Sequence, residues 1–138
     1  MLKNRVIIDP LPLTGDNQPE RRLFSSKGEM AQILNRAAET YRHLVYWDLD
    51  STKSGEERGH HYHEKKTENF YVLTGEFDLL IHDLETDHKG VYVVKAGDRL
   101  QIAPRIAHAF RSRVYSQALE YSNEPYDATD THPFKVSI

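Results

Sequence analysis

Gly55-Glu56-Glu57-Arg58-Gly59-His60-His61-Tyr62-His63-Glu64-Lys65-Lys66-Thr67-Glu68-Asn69-Phe70-Tyr71-Val72-Leu73-Thr74-Gly75 is the stretch that decides how this 138-residue chain reads. His61 and His63 lie two apart, so an extended strand points both imidazoles to one side. Glu68 lies five residues beyond His63, an odd offset that one straight strand would send to the opposite face. The polar run Glu64-Lys65-Lys66-Thr67 supplies a bend, after which Glu68 opens a new strand, Glu68 to Leu73. Paired beside the first strand, it would return Glu68 to the two histidines. A second segment, Gly97-Asp98, then Pro104, then His108, offers a third imidazole. Three nitrogens and one carboxylate oxygen suit a first-row divalent metal, with His61, His63, Glu68 and His108 as the expected ligands.

These residues resemble the cupin family. Gly55-x5-His61-x-His63-x4-Glu68-x6-Gly75 fits the first cupin motif at every anchor, and Gly97, Asp98 and His108 resemble the second. Ala103 departs from the motif's usual proline, with Pro104 one residue late. Arg105 stands where cupins carry glycine, and Ser112 where many carry asparagine. The motifs span residues 55 to 112. The resemblance implies an all-β double-stranded β-helix, a jelly-roll barrel, with the ligands pointing inward. It also implies one divalent transition metal ion (Fe, Mn, Zn, Ni or Co) with an open position facing a pocket. Parity with Glu68 places Phe70 and Val72 inside, with Phe77, Leu79 and Ile81 on the next strand. Tyr46, Glu120 and Tyr121 are the catalytic candidates that could bring a polar group to the mouth. Arg105 would meet either an anionic substrate or solvent.

A lone histidine is more often structural than a ligand. Four ligand-type residues at the family's four positions outweigh that prior, whereas the other histidines revert to it. His60 has the opposite parity from His61 and should point away. His82 and His88 flank a turn, His132 lies in the tail, and His43 could face either side of its strand.

Composition narrows the partners. Eighteen basic against twenty-one acidic residues leave a net charge of -3. Arg111 and Arg113, the nearest thing to a basic stripe, read as one face of a strand, so no nucleic-acid partner is expected. No apolar run approaches the roughly 18 residues of a membrane span. Met1-Leu2-Lys3-Asn4-Arg5 leads into only a short apolar stretch before Asp9-Pro10, which is no secretory signal, and a cytoplasmic location is the expectation. With no cysteines, disulfides and thiolate chemistry are excluded.

Short strands dominate the chain: Val6 to Ile8, Tyr41 to Leu49, Glu76 to His82, Val91 to Val94, Arg99 to Ile102, His108 to Phe110 and Gln117 to Tyr121. Residues 11 to 22 read as a surface arm. Near residues 27–40 two readings compete. Ser26-Lys27-Gly28-Glu29 has capping-box spacing before Met30, Ile33, Leu34, Ala37 and Tyr41 at helical period, while a strand from Met30 to Leu34 would pair with Tyr41 to Leu49. The expected organisation is one cupin domain over 1–138: an arm with extra strands or a short helix over 1–40, a barrel over 41–122 and a tail over 123–138. The arm exceeds a minimal barrel, and such extensions predict a homodimer.

Three functional classes follow from the resemblance. The leading one is a metal-dependent enzyme acting on a small oxygenated metabolite, of isomerase, cyclase, decarboxylase or dioxygenase type. The alternative is a sugar-nucleotide epimerase or isomerase, in which His and Tyr act as acid and base without a metal. The segment from Glu120 to Asp127 resembles tails seen in that group, although the full ligand set counts against it. A non-catalytic small-molecule-binding cupin is the third.

Overall fold

The computed structural model describes residues 4–138, so Met1–Lys3 of the N-terminal reading lie outside the described residues. The strands are β1 (Val6–Pro10), β2 (Arg21–Ser25), β3 (Gly28–Gln32), β4 (His43–Leu49), β5 (Arg58–Tyr62), β6 (Glu68–Thr74), β7 (Glu76–Asp83), β8 (Lys89–Lys95), β9 (Asp98–Ile102), β10 (Ile106–Ser112), β11 (Ser116–Ser122) and β12 (His132–Pro133). A one-turn helix, α1 (Ser51–Ser54), and a 3-10 turn (Ala128–Asp130) complete the described elements. One sheet runs β1-β9-β6-β11-β4 and the other β12-β5-β10-β7-β8, with β2-β3 a separate hairpin. The ladders are antiparallel, and the two five-stranded sheets face each other as a jelly roll.

Aromatic side chains fill the space between the sheets. Trp47 meets Phe77 and Phe110 edge-on at 5.4 and 5.2 Å between centroids, and Phe70 meets Phe110 at 4.9 Å. Phe70, Val72, Phe77, Leu79 and Ile81 all lie in this core, as their parity with Glu68 requires. The opposite face of the first sheet is covered too. Tyr71 and Tyr121 pack there with Leu11, against Ile33, Leu34 and Tyr41. Burial on both faces explains why β6 reads as a near-continuous apolar run rather than an alternating one.

Two expectations need correction. β6 does not pair beside β5. It pairs with β9 and β11 in the opposite sheet, while β5 lies between β12 and β10. Glu68 therefore reaches the histidines across the barrel. Near residues 27–40 there is no helix. β3 pairs with β2, rather than with β4. Gly28, the first residue of β3 after the hairpin turn, has φ +100, a conformation incompatible with the first turn of a helix. Arg21 reaches Gln32 at 3.0 Å and Arg22 pairs with Glu29, tying the two strands through side chains. The local helical period lost to this pairing.

Gly75 turns the chain from one sheet into the other. Its φ is +85, and a Cβ there would lie 2.7 Å from the Tyr115 carbonyl oxygen and closer still to the Ser116 hydroxyl. Both constraints require glycine.

Candidate functional site

β5 and β10 bring the first two imidazoles together. His108 pairs with His61, but Ala109 pairs with Gly59, so His60 is the extra residue of a bulge, with φ +55. Gly59 lies so close to β10 that a Cβ would come within 2.7 Å of the His108 carbonyl oxygen. The bulge turns His60 away from the barrel. His60 Nε2 lies 2.7 Å from Glu57, and its Nδ1 accepts the Val136 N–H.

Glu68 is the centre of the cluster. Its Oε1 lies 2.7 Å from His63 Nε2, 3.0 Å from His108 Nε2 and 3.7 Å from His61 Nε2. Nδ1 of His63 donates to the Asp130 carbonyl at 2.7 Å, and Nδ1 of His108 donates to the Ile106 carbonyl at 3.0 Å. These backbone acceptors fix which nitrogen carries the proton and aim both Nε2 atoms at one carboxylate. His108, so oriented, must take a second proton to act as a donor toward Glu68. Burial opposes charge on His108, but the hydrogen bond and negative charge of Glu68 outweigh it and raise the imidazole pKa. Burial likewise opposes ionisation of Glu68, yet His108 and the other histidines hold its carboxyl well below the usual range. The result is an internal ion pair.

Glu120 is tuned the other way. It projects from β11 into a small cavity of about 110 Å³, shared with Trp47, Arg58, His61, Phe70 and His108. Burial, then the Glu68 charge, pushes its pKa up to about 7. His61 lines the same cavity, and its pKa is lowered, chiefly by burial, against the pull of Glu68. One cavity thus holds a carboxyl that gives up its proton only near neutral pH and an imidazole on which charge is disfavoured. Divergent tuning of neighbouring groups is the arrangement acid–base chemistry requires. Arg58 stands at the exposed edge of this cavity, its guanidinium 5.3 Å from the Trp47 ring centroid.

His61, His63, Glu68 and His108 converge, and Glu120 joins them. Tyr46 and Tyr121 do not. Tyr46 lies on the outer face of β4 and accepts a hydrogen bond from Gln117 at 2.8 Å. Tyr121, one residue from Glu120, faces the arm and meets Tyr41 edge-on at 5.3 Å. Arg105 is half exposed, 3.5 Å from Glu64. Arg58, Trp47 and Asp130 were not anticipated. Arg58 was legible as a cation on the histidine strand. Asp130 had no signal, because its link to His63 spans 67 residues of chain.

A family model described as the polysaccharide biosynthesis C-terminal domain matches residues 26–132. The chain belongs to this family. Among curated proteins none matches its sequence. Several solved structures match the fold of this polysaccharide biosynthesis C-terminal domain. A sugar 3,4-ketoisomerase from Thermoanaerobacterium thermosaccharolyticum, in complex with TDP, has 16% identity and a TM-score of 0.73, covering 92% of this chain and 86% of its own. A histidine-to-asparagine mutant of that enzyme, in complex with TDP-4-keto-6-deoxyglucose, has a TM-score of 0.70 at the same identity and coverage. A 3,4-ketoisomerase from Helicobacter canadensis has 13% identity and a TM-score of 0.72, covering 91% and 88%. The dTDP-4-dehydrorhamnose 3,5-epimerase of Bacillus anthracis, with TDP and pyrophosphate bound, has 17% identity and a TM-score of 0.69, covering 91% and 76%. The double-stranded β-helix is therefore the fold of this chain.

These neighbours correct the expected cofactor. The ligand atoms of His61, His63 and Glu68 lie within 4.8 Å of one another, a spacing that could hold a cation. The solved structures described above are nonetheless sugar-nucleotide isomerases and epimerases, of the type that binds no metal. The expected divalent ion (Fe, Mn, Zn, Ni or Co) is withdrawn on that finding, and dioxygenase chemistry with it. A histidine–carboxylate cluster serves equally well to hold and move protons. Among the described residues, no helix is long and apolar enough to cross a membrane.

Proposed function

We propose that this protein is a sugar-nucleotide ketoisomerase or epimerase, which moves protons between carbons of a nucleoside-diphosphate-linked keto-hexose without a metal. The observation that carries the reading is the small cavity lined by both Glu120 and His61, whose proton affinities are tuned in opposite directions. Neutral His61 is the base that takes the proton from the carbon beside the carbonyl. The C–H electrons form the new C=C bond, the carbonyl π electrons move to oxygen, and protonated Glu120 supplies that oxygen with a proton. For 3,4-isomerisation, Glu120 then takes the proton of the neighbouring hydroxyl while His61 returns its own to the former carbonyl carbon. Atoms balance and no electron acceptor is needed. Glu68 stays ionised and holds the His63 and His108 rings in place.

Charge sets the direction of entry. Two carboxyl groups inside the barrel disfavour a diphosphate there, whereas Arg58 at the rim suits one. The sugar then enters first. The test is incubation with TDP-4-keto-6-deoxyglucose in D2O, followed by proton NMR. Deuterium should enter the sugar carbon next to the ketone, a rearranged ketone or an epimer should form, and chelator should not slow the reaction. His61→Ala and Glu120→Gln should each lose roughly two to four orders of magnitude in rate. A protein that exchanges no sugar proton in this substrate would defeat the proposal.

A homodimer in a cytoplasmic setting completes the proposed picture. Its support is the apolar surface of the arm and of the free edge of β4, where Leu13, Phe24 and Leu44 are all more than half exposed.

A further inference from the structure

His61 is the one imidazole of the small cavity with a nitrogen to spare. His108 has both ring nitrogens engaged, Nδ1 by the Ile106 carbonyl and Nε2 by Glu68, each at 3.0 Å. His61 Nε2 stands 3.7 Å from Glu68, too far for a direct hydrogen bond. Arg58 donates its Nε–H to the Asp48 carbonyl at 3.0 Å, and a guanidinium does not give up a proton at neutral pH. His63 lines a separate cavity, beside Tyr126. Much of the remaining wall is aromatic. Trp47, Phe70 and Phe110 are buried and meet edge-on, with centroids 4.9 to 6.5 Å apart. These rings offer neither acid nor base, and their burial keeps water off that side. Glu120 lies close enough to Glu68 to feel its charge, so the carboxyl and His61 gather round one carboxylate.

We infer that the protein works on one face of the sugar: His61 alone serves both carbons, so a 4-keto-6-deoxyglucose unit becomes the 3-ketone with its C4 hydroxyl in the galacto configuration. This deepens the reading above and rests on it. The C3–H electrons become the C3=C4 bond as His61 takes the proton, and the C4 oxygen receives the proton of Glu120. The enediol is planar at both carbons, and the abstracted proton waits on the face it left. The C3 hydroxyl then gives its proton to Glu120, the C3=O bond forms, and C4 takes the proton back from His61. Hydrogen delivered there lies on the same face as the one removed from C3, which is the arrangement in galactose. Glucose has those two hydrogens on opposite faces, and reaching it demands a second acid across the ring. Inversion at C3 or C5 fails on the same ground, because hydrogen must leave one face and return to the other. The ring cannot turn over between steps. A cavity of about 110 Å³ is well below the roughly 300–1,000 Å³ of a whole-ligand pocket, so it admits only the reacting edge while Arg58 holds the diphosphate.

The product of the wild-type protein tests this directly. After incubation with TDP-4-keto-6-deoxyglucose, reduction with borodeuteride marks the ketone carbon, and hydrolysis frees the sugar for chromatography and mass spectrometry. The galacto 3-ketone should appear as 6-deoxygulose labelled at C3. Recovery of 6-deoxyallose labelled at C3 would mean the gluco 3-ketone and overturns the inference. A sugar inverted at C3 or C5 and labelled at C4 overturns it as well, since that is the mark of an epimerase. A second measurement asks whether one base serves both carbons. In D2O, His61→Asn should slow hydrogen exchange at C3 of the 4-ketone and at C4 of the isolated 3-ketone together, each by about 10²–10⁴-fold. Exchange that survives at either carbon reveals another base and overturns the inference. Wild-type protein that neither exchanges a sugar proton nor forms product instead sinks the functional reading, and the stereochemical course falls with it.

Discussion

Glu120 carries a stability signature as well as its proposed chemical role. Its pKa in the folded chain, about 7, lies above the ordinary 4.5, so the folded state holds this proton more tightly than the unfolded chain does. The associated stability is complete below the ordinary value and is lost as pH rises through about 7. Glu120→Gln cannot ionise and escapes that loss. Thermal melts should therefore show the variant gaining on wild type at about pH 8 and holding no such advantage near pH 4.5. A difference that does not change with pH would mean the carboxyl is not desolvated as described. The neighbouring Tyr121 takes no part in this, because side chains one residue apart on a strand face opposite ways.

Among the elements, the C-terminal segment contributes most to the site for its size. The Asp130 carboxylate accepts the N–H groups of Glu64, Lys65 and Lys66 at 2.9 to 3.3 Å, and its backbone carbonyl accepts from His63. Burial works against this carboxylate, but the three backbone donors hold its pKa below the ordinary value. Asp130→Ala leaves those donors without their anion, and urea unfolding should show a loss of roughly 2 kcal/mol at neutral pH. The deficit should shrink in acid, since a depressed carboxyl gives up its stabilisation as pH falls through its folded pKa. Because the Asp130 carbonyl orients the His63 ring beside Glu68, kcat should fall more than KM rises. Wild-type stability and kinetics in Asp130→Ala would show that the loop holds itself.

For the molecule as a whole, the two sheets leave different edges. β1 and β4 are the two edge strands of the first sheet, and β4, paired only with β11, carries Leu44 and Tyr46 at 70% and 52% exposure. On the β2–β3 hairpin, Phe24 is 60% exposed. Exposed apolar groups on a free strand edge invite pairing with another chain. Light scattering at micromolar concentration should report a species near twice 16.0 kDa, and Leu44→Glu should shift it toward the monomer. A single 16.0 kDa species in the wild type would refute the dimer.

Local rules determined much of this protein from sequence alone. Parity with Glu68 set the inward faces of β6 and β7, and motif spacing marked His61, His63, Glu68 and His108 as one group. Each of those statements depends on neighbours a few residues away, where backbone geometry fixes side-chain direction. The remainder depended on partners far along the chain. Only the folded barrel placed β6 opposite β5, laid β3 against β2, aimed Glu120 rather than Tyr46 or Tyr121 at the histidines, and set Asp130 under the Lys66 loop. Strand pairing is a choice among distant segments, and proton affinity follows from burial and the charges that pairing assembles. The same three histidines and glutamate satisfy the sequence pattern of a metal centre and of a proton-handling cluster. Only tertiary structure supplied what favours the proton-handling proposal: a fold shared with sugar-nucleotide isomerases and a second, desolvated carboxyl beside the first.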